Sequence, residues 1–349
     1  MKELLRNNIR NLVPYSCARD EFSGDADVYL DANENWRDFI HLDSINRYPD
    51  PLCSALRKKI EEVMLLPFEN TVIGNGSDEI IDNLVRMFCN PGKDSIVLFP
   101  PSYGAYKVFA DVNNVGAIEI PLLPNFDLDM AAIKKLGTEN DPTKKLLFCC
   151  SPNNPTGNAY SLDTIEEICQ SFKNIVVVDE AYVDFSDKGS AVSLLSQYPN
   201  LVVLRTFSKC WALAGARVGI LVASSEICQT MRAMKYPYNV GLPSQKAAFH
   251  ALCEAKAVRK ELQNIKRVRT LYREKFQSLA CVTNVYPSDA NFLLVKTVDA
   301  NAIWHYLTKK KIIVRNRTNQ RHCENCLRIA IGSEEECRKV YEALASWRK

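Results

Sequence analysis

A chain of 349 residues is long enough for one large domain, or a large one with a smaller companion. Its 47% hydrophobic and 24% charged residues exclude a disordered chain, and 44 Lys plus Arg against 41 Asp plus Glu leave a net charge of only +3. A balance that near neutral gives no reason to expect nucleic acid or an anionic membrane as the main partner. Thirteen cysteines are too sparse for a disulfide scaffold, and an odd number cannot all pair internally.

Met1 to Asn11 alternates charged and apolar residues without a signal-peptide core. No run approaches the roughly 18 apolar residues of a membrane span. A cytoplasmic protein with reduced thiols is therefore expected. Ile80, Ile81, Leu84, Val85 and Phe88 recur at helical spacing. Short continuous apolar runs follow at Ile96–Phe99 and Leu146–Cys150. The next helical pattern holds Leu162, Ile165, Ile168, Cys169 and Phe172, with Ser161 as its N-cap. Three more runs lie at Ile175–Val178, Leu201–Leu204 and Val218–Val222. Such runs lack period-two alternation, as strands buried on both faces of a parallel sheet do.

The last hundred residues read differently. Ala257 to Leu279 has the stripe of one long helix, and strands are expected at Phe292–Val295, Ile312–Val314 and Leu327–Ile331. Ser333 with Glu336 forms a capping box before a closing helix. The fold class is α/β: a large domain, 46–245, with a mostly parallel central sheet covered by helices, plus a smaller α+β domain, 246–349. Residues 1–45 have no place in the βα rhythm and are expected to join the smaller part.

Lys209, in Thr206-Phe207-Ser208-Lys209, stands just past the Leu201–Leu204 strand, where open α/β sheets place their ligands. Partial desolvation there would lower its pKa and supply a nucleophilic amine. Alone it would be an ordinary loop lysine; its company matters. Asp179 ends the preceding strand and suits a protonated ring nitrogen, or a simple turn cap. Tyr182, three residues on, suits a phenolic oxygen on the same ring, or the core. Asn154 sits in the turn Ser151-Pro152-Asn153-Asn154-Pro155-Thr156-Gly157. Tyr103, in Pro100-Pro101-Ser102-Tyr103, could lie flat on a planar ligand. Gly74-Asn75-Gly76-Ser77-Asp78-Glu79 opens a helix whose first N–H groups make an anion site. Glu79 stands where a dinucleotide fingerprint needs its third glycine, and no GxxxxGK[ST] loop exists. A lysine, an Asp, a Tyr, an Asn, a stacking ring and a phosphate cradle together fit pyridoxal phosphate.

The ordered segments GNGSDE, PPSYGAY, SPNNPTG, VVVDEAY, TFSK and ALAGARVG resemble the fold-type-I aminotransferases, and more closely the histidinol-phosphate aminotransferases. The resemblance runs over nearly the whole chain. It implies that Lys209 forms the Schiff base and shuttles the proton, while Asp179 pairs with the pyridine nitrogen. Tyr182 and Asn154 would bind the ring hydroxyl oxygen, and Tyr103 would stack. Backbone donors of Ser77 and Asp78, with the side chains of Ser208 and Arg217, would hold the cofactor phosphate. Tyr48, in Arg47-Tyr48-Pro49-Asp50, matches a tyrosine that reaches into the other subunit's site, which implies a homodimer with shared active sites. Tyr15, Asn33, Arg315 and Arg328 match the substrate-binding positions, although Arg315 has arginine neighbours able to take its role. The implied reaction is reversible transamination between histidinol phosphate and 2-oxoglutarate, giving imidazole acetol phosphate and glutamate in histidine biosynthesis.

Other readings stay open on the sequence. An aromatic amino-acid aminotransferase, or a decarboxylase of an amino-acid phosphate, would use the same scaffold. A non-catalytic binding protein of this fold has no need of the Lys209 amine. Cys323 and Cys326 form a CxxC beside His322, but no second pair completes a zinc set, so no metal is expected. The basic run Arg259 to Arg273 alternates with Leu262, Ile265 and Tyr272 and reads as a solvated helix face.

Overall fold

The apolar runs become the inner strands of a seven-stranded sheet in the computed structural model, which describes residues 2–17, 26–42, 45–139 and 141–348. The segment expected to span 1–45 therefore lies partly outside the described residues. The strands are β1 (Thr71–Asn75), β2 (Ser95–Leu98), β3 (Gly116–Glu119), β4 (Lys144–Cys150), β5 (Ile175–Asp179), β6 (Leu201–Thr206) and β7 (Val218–Ala223). Their order across the sheet is β1-β7-β6-β5-β4-β2-β3. Strands β6, β5, β4, β2 and β3 run parallel.

Continuous apolarity has a direct cause here. Val176 and Val178 pack into one core cluster, while Val177 packs into another on the opposite face. Leu147 and Phe148 divide in the same way. A strand covered on both sides has no solvent face on which to place polar residues.

Val218–Ala223 departs from the parallel expectation, since β7 lies antiparallel between β6 and β1. The connection from Thr206 to Val218 holds only a 3-10 turn, Ala214–Ala216. A parallel return needs a crossover, usually a helix. Strands β1 and β3 carry apolar runs too short to read, and β3 is a partly exposed edge.

A second, antiparallel sheet has the order β10-β11-β9-β8, from β8 (Val282–Val285), β9 (Phe292–Thr297), β10 (Arg315–Asn316) and β11 (Cys326–Ala330). The helices Ala255–Gln277, Ala300–Lys309 and Glu334–Ser346 bury their apolar faces with it. The Ser333–Glu336 capping box is present, as is the Ser161 N-cap. The strand expected at Ile312–Val314 is displaced to Arg315–Asn316. Ile312 N–H closes the preceding helix on Leu307 C=O at 2.9 Å, and Val314 C=O accepts from the Trp304 indole at 3.0 Å. Those residues serve the helix end, so pairing with β11 starts at Arg315.

The cysteines belong to this architecture. All but Cys210 and Cys253 are buried, packing as small hydrophobes.

Candidate active site

Four chain turns converge at the carboxyl ends of the parallel strands. Strand β5 delivers Asp179, and β4 leads into the turn that holds Asn154. Strand β6 leads into Ser208 and Lys209, while β1 feeds the helix Gly76–Phe88 that starts with Ser77 and Asp78. Nine of the ten residues expected around the cofactor line one cavity of about 150 Å³: Ser77, Asp78, Tyr103, Asn154, Asp179, Tyr182, Ser208, Lys209 and Arg217, the tenth being Tyr48, expected from the other subunit.

The turns are tied to one another. Asn153 is buried and donates to Pro101 C=O at 2.9 Å and to Thr156 Oγ1 at 2.7 Å, while Ser102 Oγ donates to it at 2.9 Å. It locks the β4 turn to the Tyr103 turn, which leaves its neighbour Asn154 to face the cavity. The next residue beyond Asp179, Glu180, accepts from Ser190 Oγ and Ala191 N–H, both at 2.6 Å. With both its oxygens engaged, it anchors the end of β5.

Asp179 is 3% exposed and accepts from Tyr106 Oη at 2.6 Å and from Ala181 N–H at 3.1 Å. Burial raises its pKa, and these two hydrogen bonds oppose the rise. Lys209 faces the open cavity, with its Nζ 5.6 Å from the centre of the Tyr182 ring. Desolvation lowers its pKa, followed by repulsion from Arg328; Asp179 and Asp78 act in the opposite direction. Tyr182 is held above the ordinary phenol range by burial. Its ring meets Phe292 edge-on, with centroids 5.2 Å apart.

The phosphate end is built by close backbone approach. Gly76 has φ +75°, and a Cβ there would lie 2.5 Å from Arg217 Nη2. A Cβ at Gly219 would lie 2.5 Å from Ser77 N. Glycine at both positions lets the helix start, β7 and Arg217 close around one small space. The first-turn N–H groups have no partner within the helix, and the helix dipole is positive at this end. Asp78 already uses its carboxylate, accepting from Tyr103 Oη at 3.0 Å and pairing with Arg217 at 3.1 Å. Only its backbone N–H remains for an anion. The glycine cradle, the hydroxyls of Ser77 and Ser208, Arg217 and the buried carboxylate fit pyridoxal phosphate at both of its polar ends.

A second cavity, of about 400 Å³, shares Tyr103, Asn154, Tyr182 and Lys209 with the first and adds Arg315, Arg317, Gln320 and Arg328. Arg315 stands opposite Arg328 in the β10–β11 register. Arg328 donates to Asn154 Oδ1 and lies over the Phe292 ring, 5.2 Å from its centre. Tyr15, 76% exposed, and Asn33 line neither cavity. Tyr48 lies outside them too, stacked on Tyr238 at 4.4 Å. One contributor, Tyr106, was not singled out in the sequence, whereas Arg317 is among the arginine neighbours expected to be able to take the role of Arg315. Tyr106 lies within the PPSYGAY segment, three residues past Tyr103, and Arg317 is two residues past Arg315.

The model of the family described as aminotransferase class I and II matches residues 23–344. The histidinol-phosphate aminotransferase of Cytophaga hutchinsonii is 44% identical over 347 residues, 99% of each chain. The chain belongs to the histidinol-phosphate aminotransferase family. The solved histidinol-phosphate aminotransferase of Clostridium acetobutylicum shares the fold of this aminotransferase, with a TM-score of 0.78 and 24% identity over 86% of this chain and 90% of that one. That of Sinorhizobium meliloti, solved in complex with pyridoxal-5'-phosphate, has a TM-score of 0.75 and 22% identity over 86% and 82%. Both likenesses extend to the fold-type-I architecture of a large sheet domain with a smaller antiparallel one.

Proposed function

We propose that this aminotransferase moves the amino group of histidinol phosphate to 2-oxoglutarate, giving imidazole acetol phosphate and glutamate, a step of histidine biosynthesis. The observation that carries this reading is the arginine-lined cavity opening directly onto Lys209. A substrate whose amine reaches Lys209 meets guanidinium groups at its other end, and these suit a phosphate or a carboxylate.

Bound pyridoxal phosphate supplies an electron sink for the pair left when the substrate Cα–H bond breaks. Asp179 holds a proton on the ring nitrogen, and Tyr106 fixes the carboxylate from behind. Tyr182 and Asn154 bind the ring hydroxyl oxygen. The Tyr103 ring covers one face. Ser77, Asp78 N–H, Ser208 and Arg217 hold the phosphate. Lys209, its pKa lowered by desolvation, would take the Cα proton on Nζ and deliver it to C4′ of the cofactor, since its return to Cα would only regenerate the donor. Arg315 and Arg328 receive the substrate anion, and Tyr15 and Asn33, which line neither cavity, would have to close over it once substrate binds.

Incubation with histidinol phosphate and 2-oxoglutarate is expected to yield one glutamate per amino donor consumed. Histidinol phosphate has no carboxyl group to lose, so a phosphorylated amino acid is assayed alongside it: CO₂ release from that compound without any keto-acid acceptor would instead mean decarboxylation.

Residues 46–245 and 246–349 are read as the large and small domains, and the two separate sheets support two units. Residues 1–45 were expected to join the small one, but Leu5 packs in a core cluster of the large sheet and Arg6 N–H donates to Met87 C=O at 3.1 Å. The same reading makes the enzyme a homodimer in which Tyr48 serves the other subunit's site. Leu30 is 86% and Trp36 71% exposed, as are other apolar residues near them, and such a surface is usually covered by a partner. Sedimentation is expected to give a two-chain species, and a fully active monomer would contradict this. No helix among the described residues is long and apolar enough to cross a membrane. We place the enzyme in the cytoplasm, where its interior thiols stay reduced.

A further inference from the structure

Strands β10 and β11 gather three arginines on one face. Arg315 pairs with Arg328 in the register, and Arg317 N–H donates to Cys326 C=O at 2.9 Å, extending the ladder by one more pair. Side chains two residues apart on a strand share a face, so Arg317 projects beside Arg315. All three line the 400 Å³ cavity, and none of its described lining residues is acidic. Like charges placed opposite one another on a sheet repel. The cluster therefore stands ready for an anion that the chain itself does not supply.

Arg317 differs from the other two. Its Nε is buried without a hydrogen-bond partner, and so is Oε1 of the neighbouring Gln320. Arg328, by contrast, already donates to Asn154. Burial, then repulsion from Arg328 and Arg315, lowers the pKa of Arg317 to about 10. A buried donor left unpaired weakens the fold unless a ligand brings the acceptor.

On the substrate reading given above, we propose that Arg317 is a specificity-determining residue that binds the phosphate of the amino donor and favours a phosphate monoester over a carboxylate. A phosphate monoester carries up to two negative charges and three acceptor oxygens. It can therefore engage Arg317 as well as Arg315 and Arg328, whereas a carboxylate offers one charge and two oxygens. Discrimination comes from the third guanidinium.

The test compares wild-type holoenzyme, whose cofactor phosphate site is filled, with Arg317→Gln. Two readouts are used: the half-reaction with histidinol phosphate or glutamate, and the rise in Tm caused by inorganic phosphate. Arg317→Gln is expected to raise the KM for histidinol phosphate by about 10- to 100-fold. The loss for glutamate should be at least about tenfold smaller, following the weaker engagement of a carboxylate. The phosphate-induced rise in Tm should largely disappear. Without phosphate, the variant should melt at or above the wild-type temperature, because the unpartnered Nε and the repulsion from Arg315 and Arg328 are gone. Equal losses with both donors together with a lowered Tm would make Arg317 a packing residue and overturn the proposal; an unchanged KM and an unchanged phosphate response would overturn it too. If wild-type protein fails to use histidinol phosphate at all, the substrate reading falls. The phosphate response of Arg317→Gln then decides on Arg317 by itself.

Discussion

Replacing Lys209 with alanine is expected to lower transamination by at least about 10⁴-fold, the upper end of what one positioned proton-transfer group supplies. The visible absorption band of the bound cofactor should be lost or displaced at the same time. The reason is local. Among the described residues Lys209 is the one lysine lining both cavities, and its Nζ lies close to the Tyr182 ring. Desolvation and Arg328 lower its pKa, which enlarges the neutral fraction able to accept a proton. Lys209→Arg should not restore activity, because a guanidinium stays protonated at any working pH. Stability should change little in either variant, since Lys209 faces the open cavity and its removal leaves no buried group unpaired. Absorption spectra and single-turnover rates of the two variants check this together. Retention of both the band and turnover in Lys209→Ala would remove the lysine from the chemistry.

Asp179→Asn is expected to cost about 10²- to 10⁴-fold in turnover. That range follows from losing the charged partner of a buried pair, about 3–5 kcal/mol, at 1.36 kcal/mol per factor of ten. An amide cannot hold a proton on the ring nitrogen as a carboxylate does. Stability should move the other way. Burial raises the Asp179 pKa in the folded chain. The folded state then holds the proton more tightly than the unfolded one, so ionisation costs stability as pH rises above the ordinary carboxylate range, near 3.9. Asparagine is free of that cost and keeps both contacts when its Oδ1 accepts from Ala181 N–H and its Nδ2 donates to Tyr106 Oη. Cofactor-free Asp179→Asn should therefore melt at or above the wild-type temperature at neutral pH, and the difference should shrink as pH falls. Melting curves across pH, with turnover measured alongside, test both signs. A variant that is less stable at neutral pH yet fully active would contradict both parts.

Much of this site was legible because parallel strands deliver their functional residues at predictable ends. An apolar run such as Ile175–Val178 followed by Asp179 says where the carboxylate will stand, and the same holds for Lys209 after Leu201–Leu204. The phosphate cradle was legible from the helix start at Gly76, whose first N–H groups make an anion site, but the close approach of Arg217 and β7 to it was not. What escaped depended on register between distant segments. Tyr106 reads as an ordinary helix aromatic until the fold lays its hydroxyl on Asp179. The direction of β7 could not be read from its apolar composition, because a central antiparallel strand is buried on both faces as well. Arg317 could be told apart from the other arginine neighbours of Arg315 only when the β10–β11 pairing put it on the face of Arg328. The displacement of β10 past Val314 has the same origin, since Ile312 and Val314 are drawn to the end of the preceding helix.

The substrate assignment can be tested in one cuvette. Holoenzyme is mixed with histidinol phosphate alone, and the cofactor band is followed through a single half-reaction. The band should convert stoichiometrically from the aldehyde form to the amine form, and 2-oxoglutarate should then restore it. A spectrum that histidinol phosphate leaves unchanged, while another amino donor converts it, would contradict the assignment.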